Sequence, residues 1–226
     1  MSQTDVTLVD YGIGNLRSME KALEAAGAVV NRTDDPIQLL RAERLVLPGV
    51  GAFGACRAEL VARDLLEVLT RYAQTGRPLL GVCVGMQLLL DQSEEFGLHA
   101  GLGLIPGRIA RFSREAGAAS ATQASSEHDE LPTSGDTAAP LKIPHMGWNT
   151  VEPAAGIPWL GSPATYYYFV HSFRAVDVPQ KFVAGQTRYG SVFPAAVAKD
   201  HIWGVQFHPE KSADAGIALL RAFLNQ

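Results

Sequence analysis

The string Gly81-Val82-Cys83-Val84-Gly85 limits what this chain can be more than any other stretch does. It follows Pro78-Leu79-Leu80, an uncharged run, and leads into Met86-Gln87-Leu88-Leu89-Leu90. A strand that passes into a helix through one sharp turn pushes the middle side chain out at the end of the sheet. The backbone there is cramped, so the flanking residues must be small, and both are glycine. A helix starting after the turn aims its amides and dipole at the sulfur, which favours thiolate. The amide of Val84 then sits where it could donate to an oxyanion. A cysteine among apolar residues is commonly only a small core residue. The two glycines and the strand-to-helix setting point instead to a nucleophile. Cys56, among Ala52, Ala55 and Ala58, has no such setting and reads as core packing.

The elbow also implies a sheet covered by helices, and the rest of the chain agrees. Thr7-Leu8-Val9, Val29-Val30 and Arg44-Leu45-Val46-Leu47 are strand candidates. Leu16, Met19, Leu23 and Ala26 recur at helical spacing, and Gly27 ends that helix. A second helix is expected over 60–72 and a third over 87–91. Strands alternating with helices predict an α/β fold with a largely parallel sheet. In the second half, Tyr166–Val170, Phe182–Ala184, Ala195–Ala198 and Ile202–Phe207 are strand candidates with short connections, so a mixed sheet is expected. Ile217–Leu224 closes as an amphipathic helix. With 226 residues and 47% hydrophobic composition, one domain over 1–226 with a sizeable core is expected.

Composition excludes several classes. The formal net charge is −4, and no Lys/Arg-rich run offers a phosphate-binding stripe. No apolar stretch is long enough to span a bilayer, and no signal peptide is legible. Two cysteines do not make a disulfide scaffold, so a reduced, cytoplasmic chain is the default. No histidine pair has zinc-ligand spacing, and neither a metal nor a cofactor is expected. The segment Ser113–Pro140 is rich in small and acidic residues. Its composition predicts a disordered loop over 113–140. Its flanks, Ile109–Phe112 and Lys142-Ile143, are expected to pair as neighbouring strands.

A nucleophilic cysteine needs a base and a group to orient it. In Gln206-Phe207-His208-Pro209-Glu210, alternate residues of an extended segment share a side. Glu210 could therefore hold His208 against Cys83. Gly49-Val50-Gly51-Ala52-Phe53-Gly54 matches the G-x-G-x-x-G nucleotide fingerprint, but the acidic residue expected at the end of the next strand is missing. Pro48-Gly49-Val50-Gly51 reads better as a strand-end loop carrying a second oxyanion donor, with a readily reoriented peptide at Val50.

Together, the cysteine string, Pro48-Gly49-Val50-Gly51 and Phe207-His208-Pro209-Glu210-Lys211-Ser212 resemble the triad-type, class I glutamine amidotransferases. Asp10-Tyr11-Gly12-Ile13-Gly14-Asn15-Leu16, Ile143-Pro144-His145-Met146-Gly147-Trp148-Asn149 and Tyr168-Phe169-Val170-His171-Ser172-Phe173 narrow the resemblance to the glutaminase subunits of imidazole glycerol phosphate synthases. It implies a three-layer fold with the elbow at a strand end. It implies Cys83, His208 and Glu210 as the triad and L-glutamine as substrate. Amides of Val50 or Gly51 and of Val84 would form the oxyanion hole, and Gly51 and Gln87 would bind glutamine. It further implies a heterodimer with a (β/α)8-barrel cyclase subunit that receives the ammonia, with Asn15, His145 and Trp148 at the interface. The products would be imidazole glycerol phosphate and an aminoimidazole ribotide. Three rivals remain: an amidotransferase serving another synthase, a stand-alone cysteine hydrolase, and a non-enzymatic redox or binding module.

Overall fold

A computed structural model describes residues 4–112, 141–162 and 165–226. The segment expected to be a loop, 113–140, lies outside the described residues. The first half alternates as expected: β1 (Thr4–Val9), α1 (Leu16–Ala26), β2 (Ala28–Thr33), α2 (Pro36–Arg41), β3 (Leu45–Leu47), α3 (Phe53–Ala62), α4 (Leu65–Ala73), β4 (Leu79–Val82) and α5 (Val84–Leu89). Short strands follow: β5 (Gln92–Ser93), β6 (His99–Ala100) and β7 (Arg108–Arg111). The second half contains β8 (His145–Pro153), β9 (Thr165–His171), β10 (Phe173–Val176), β11 (Val183–Tyr189), β12 (Ser191–Lys199) and β13 (Ile202–Val205), closed by α6 (Ala213–Leu224).

One nine-stranded sheet runs β2-β1-β3-β4-β13-β12-β11-β8-β9. From β2 to β13 the neighbours are parallel. From β13 to β9 they are antiparallel. The change follows the connections. Helices carry the chain back between the parallel strands, while short turns reverse it between β11, β12 and β13. Leu79, Leu80 and Val82 of β4 and Leu45, Val46 and Leu47 of β3 are all buried, as strands covered on both faces must be. Helices α1 and α6 pack on each other; α2 packs on α4, and α3 on α4 and α5.

Several boundaries moved. The helix expected over 60–72 is two helices, α3 and α4, parted at Asp64, whose φ is +56°. A left-handed residue cannot continue a right-handed helix. Helix α2 escaped the hydrophobic pattern because it is one short turn and a half. Its signal was a cap: Asp35 accepts from the amide of Ile37 at 2.8 Å, ahead of Pro36. The expected pairing of the flanks of 113–140 is also corrected. Strand β7 pairs with β10 and β5 in a separate four-stranded sheet, β10-β7-β5-β6, and Lys142-Ile143 belongs to no strand.

Candidate active site

Three adjacent parallel strands, β3, β4 and β13, end at one edge of the sheet, and the sequence-selected residues lie just beyond them. Cys83 follows β4 with φ +55° and ψ −111°, a conformation rare for any residue but glycine. Its amide donates to the Val205 carbonyl at 2.8 Å, which ties the elbow to β13. The flanking glycines are obligatory. A Cβ on Gly85 would stand 1.9 Å from the Leu47 carbonyl oxygen, and one on Gly81 would stand 2.7 Å from the Gly85 oxygen.

His208 lies three residues past β13, and its side chain is 3% exposed. Its Nδ1–H donates to the Glu210 Oε1 at 2.8 Å. On its other side it faces Cys83 across the same cavity. Burial opposes a charged imidazole, but the closeness of Cys83 and the hydrogen bond to the Glu210 carboxylate outweigh it. The pKa is pushed up to about 10. The backbone of His208 is fixed as well. Its amide donates to the Tyr168 carbonyl at 2.9 Å, and its carbonyl accepts from the Ser212 hydroxyl at 2.6 Å. The Ser212 hydroxyl in turn accepts from the Tyr168 amide at 3.0 Å.

Cys83 and His208 open onto a cavity of about 390 Å³, lined also by Val50, Gly51, Gln87 and Glu95. Two buried polar groups around it went unnoticed in the sequence. Gln206 is fully buried; its Nε2 lies 3.8 Å from the Cys83 sulfur, and its Oε1 accepts from Gln87 Nε2 at 3.0 Å. Gln206 follows directly on β13, two residues before His208, and that position at the strand end could have found it; Glu210 reaches the ring through the 3-10 turn Pro209–Lys211 and not by strand alternation. Glu95, 8% exposed, accepts from the Phe53 amide at the start of α3 at 2.7 Å. No spacing pattern marks it.

The loop Pro48–Gly51 forms the opposite wall. Its Gly49 carbonyl accepts from the Val84 amide at 3.4 Å. In a trans peptide the carbonyl and the following amide point oppositely. The Val50 amide therefore faces away from Val84. The residues expected to form an oxyanion hole are gathered at the cavity, but in this state the Val84 amide is occupied and the Val50 amide is averted.

A family model described as "Glutamine amidotransferase class-I" matches residues 7–226. The chain belongs to the class I glutamine amidotransferases. The "Imidazole glycerol phosphate synthase subunit HisH" of Salinibacter ruber is 48% identical over 219 residues, covering 96% of this chain and 92% of that protein. The protein of the same name from Syntrophotalea carbinolica is 42% identical over 96% of this chain and 98% of its own length. Among solved structures, one titled "Structure of PurLQS from Thermotoga maritima" matches with a TM-score of 0.69 at 18% identity, covering 99% of both chains. Another, titled "Crystal structure of glutamine amidotransferase", gives 0.69 at 17% identity over 97% of each.

The amidotransferase carries a second histidine cluster beside the first. His171 Nδ1 lies 2.7 Å from the Phe173 carbonyl, and His171 Nε2 lies 3.0 Å from His145 Nδ1. Asn149 Nδ2 lies 3.2 Å from His145 Nε2. A carbonyl only accepts, so His171 carries its proton on Nδ1, and His145 then donates from its own Nδ1. Burial lowers His145 to about 4 and His171 to about 3, so both rings are neutral at pH 7. His145 was expected at the partner interface. It is 3% exposed, stacked between Phe169 and Tyr189, and faces the interior. Strand alternation explains the correction: Met146 and Trp148 point the other way and are 60% and 53% exposed. Asn15, just before α1, is partly buried.

Proposed function

We propose that Cys83, His208 and Glu210 hydrolyse L-glutamine in the cavity they line, and that the ammonia passes to a (β/α)8-barrel cyclase subunit. The observation that carries this reading is the pair Glu210–His208 set beside Cys83 on one cavity, with the Val50, Gly51 and Val84 backbone lining it as well. The chain acts as the glutaminase subunit of imidazole glycerol phosphate synthase, in histidine biosynthesis.

In the proposed sequence, the sulfur of Cys83 attacks the side-chain carbonyl carbon of glutamine. With its raised pKa, His208 already holds the proton given up by the thiol, and Glu210 stabilises the imidazolium. The carbonyl oxygen becomes an oxyanion, which needs two donors. Collapse of the intermediate expels ammonia, which takes the proton from His208 and leaves a γ-glutamyl thioester. Water, deprotonated by His208, attacks the thioester; glutamate departs and the thiol is restored. Gly51 and Gln87 hold the substrate. The amides of Val84 and of Val50 or Gly51 serve as the oxyanion donors. They can do so only after the Gly49–Val50 peptide turns its carbonyl away. Binding of the liganded cyclase drives that turn, so glutamine is not spent without an acceptor.

The cyclase docks on the exposed face shared by β8 and β9. The register Trp148↔Tyr168 and Met146↔Val170 gathers Met146, Trp148 and Tyr166 on one exposed apolar patch, with Asn15 assigned to the same interface. The proposed compartment is the cytoplasm, where thiols stay reduced. Among the described residues no helix is long and apolar enough to cross a membrane.

Replacing Cys83 by alanine tests the assignment. The assembled pair should lose glutamine-dependent synthesis and keep synthesis from added ammonia. Full glutamine-dependent activity in that variant would refute the nucleophile.

A further inference from the structure

Two buried side chains outside the triad grip the loop that carries the oxyanion donor. The Tyr11 hydroxyl donates to the Pro48 carbonyl at 2.7 Å. The Cys56 thiol, in the first turn of α3, reaches back and donates to the Val50 carbonyl at 3.4 Å. Both residues are fully buried, and the hydroxyl and the sulfur are neighbours. Burial raises the pKa of each, so both keep their protons and remain donors. Between the two gripped carbonyls lies that of Gly49, which faces the opposite way, onto Val84.

We propose that Tyr11 and Cys56 are positioning residues that hold the Pro48–Gly49 and Val50–Gly51 peptides still, so that rearrangement at the active site is confined to the Gly49–Val50 peptide between them. The geometry permits this. A single peptide plane turns by opposite changes in the ψ before it and the φ after it, and the neighbouring planes keep their places. Gly49 has no freedom to shift bodily, because even a Cβ there would lie 2.7 Å from the Gly85 amide nitrogen and 2.8 Å from Val84 Cβ. With the outer planes held, the turn brings the Val50 amide toward the side that the Gly49 carbonyl vacates. Without the two donors the loop would sample other arrangements, and the amide would be misplaced in most of them. Cys56 is therefore more than the core residue its alanine surroundings suggest, and Tyr11 gives the N-terminal Asp10-Tyr11-Gly12 string a task inside the chain.

The inference rests on the reading of Val84 and Val50 as oxyanion donors, and the test separates the two. Tyr11→Phe, Cys56→Ala and Cys56→Ser are compared with the unaltered chain, each assembled with the cyclase and its ligand. Losing one such hydrogen bond should lower the stimulated glutaminase kcat about fivefold to tenfold in Tyr11→Phe and Cys56→Ala. KM for glutamine should stay within about twofold, because the grip acts on the intermediate and not on the bound substrate. Cys56→Ser, which restores a donor, should recover most of the loss. Alkylation of Cys83 by iodoacetamide, which needs no oxyanion hole, should proceed at the unaltered rate in all three. Unchanged kcat in both Tyr11→Phe and Cys56→Ala overturns the inference. So does a loss accompanied by equally slowed alkylation, or a serine variant no better than alanine. If the unaltered chain itself shows no stimulation by the liganded cyclase, the oxyanion reading fails instead.

Discussion

On the His208 wall of the cavity, Glu210 holds the ring while Ser212 and Tyr168 hold the backbone. On the Gly49 wall, the carbonyl of the central peptide meets the Val84 amide at 3.4 Å, the contact that the proposed switch would have to break. Both walls are strand ends of the same sheet. The difference lies in what each must do. Proton transfer needs a fixed angle and distance, so the base is over-determined. A switch needs two arrangements of similar energy, so the peptide at the centre of the loop is held lightly. On the proposed reading, the chemistry is built in and control is concentrated in one amide.

The comparison can be broken first on its rigid side. His208→Ala should lower glutaminase kcat in the assembled enzyme by about 10²–10⁴-fold, the usual contribution of a general base. Glu210→Ala should cost less, because it orients and polarises the ring without moving a proton. Steady-state kinetics on folded variants decides, and a larger loss for Glu210→Ala would reverse the division of roles.

On the mobile side, adding the liganded cyclase should raise the glutaminase rate of the free subunit by roughly 10²–10³-fold, the worth of one oxyanion donor. Equal rates with and without it would mean that the closed peptide seen here is not the control point. Gln206→Leu offers a sharper probe of the rigid wall. Gln206 touches both Cys83 and Gln87, so a loss of about tenfold in kcat/KM is expected. A loss as deep as that of His208→Ala would place Gln206 in the chemistry itself.

The smallest effect concerns stability. His145 and His171 titrate near 4 and 3 in the folded chain and near 6.5 when unfolded. The unfolded state therefore binds more protons between those limits. Their contribution is complete above about pH 6.5 and is lost as pH falls toward the folded values. The slope is at most about 1.4 kcal/mol per pH unit for each ring. His208 has the opposite sign: its raised pKa favours the fold below about pH 6.5 and loses its contribution as pH rises through about 10. Urea midpoints measured from pH 7 to pH 4 should fall less steeply in His145→Gln with His171→Gln than in the unaltered chain. Parallel curves would show that these rings do not carry the acid sensitivity.

Local patterns were legible where one short string carried both geometry and chemistry. The elbow at Cys83 needs small neighbours for a steric reason that can be stated residue by residue, and the structure has those contacts. His208 and Glu210 do pair, but not through the extended backbone expected across Pro209: Pro209–Lys211 form a 3-10 turn, and that turn brings the Glu210 carboxylate back to the ring. Helix α1 and its end at Gly27 follow from spacing and a left-handed cap. What the sequence could not decide was everything that depends on which strand lies beside which. That β13 joins β4 at Val82↔Val205, and so delivers Gln206 and His208 to Cys83 across more than 120 residues of chain, is a property of sheet order. That His145 turns inward while Trp148 faces out depends on the register of β8 against β9. The carbonyls of Pro48, Gly49 and Val50 are met by Tyr11, Val84 and Cys56, which belong to three separate parts of the chain. Residue types and spacings determine which local geometries are possible. The orientation of one peptide plane is decided only by the neighbours that packing brings to it.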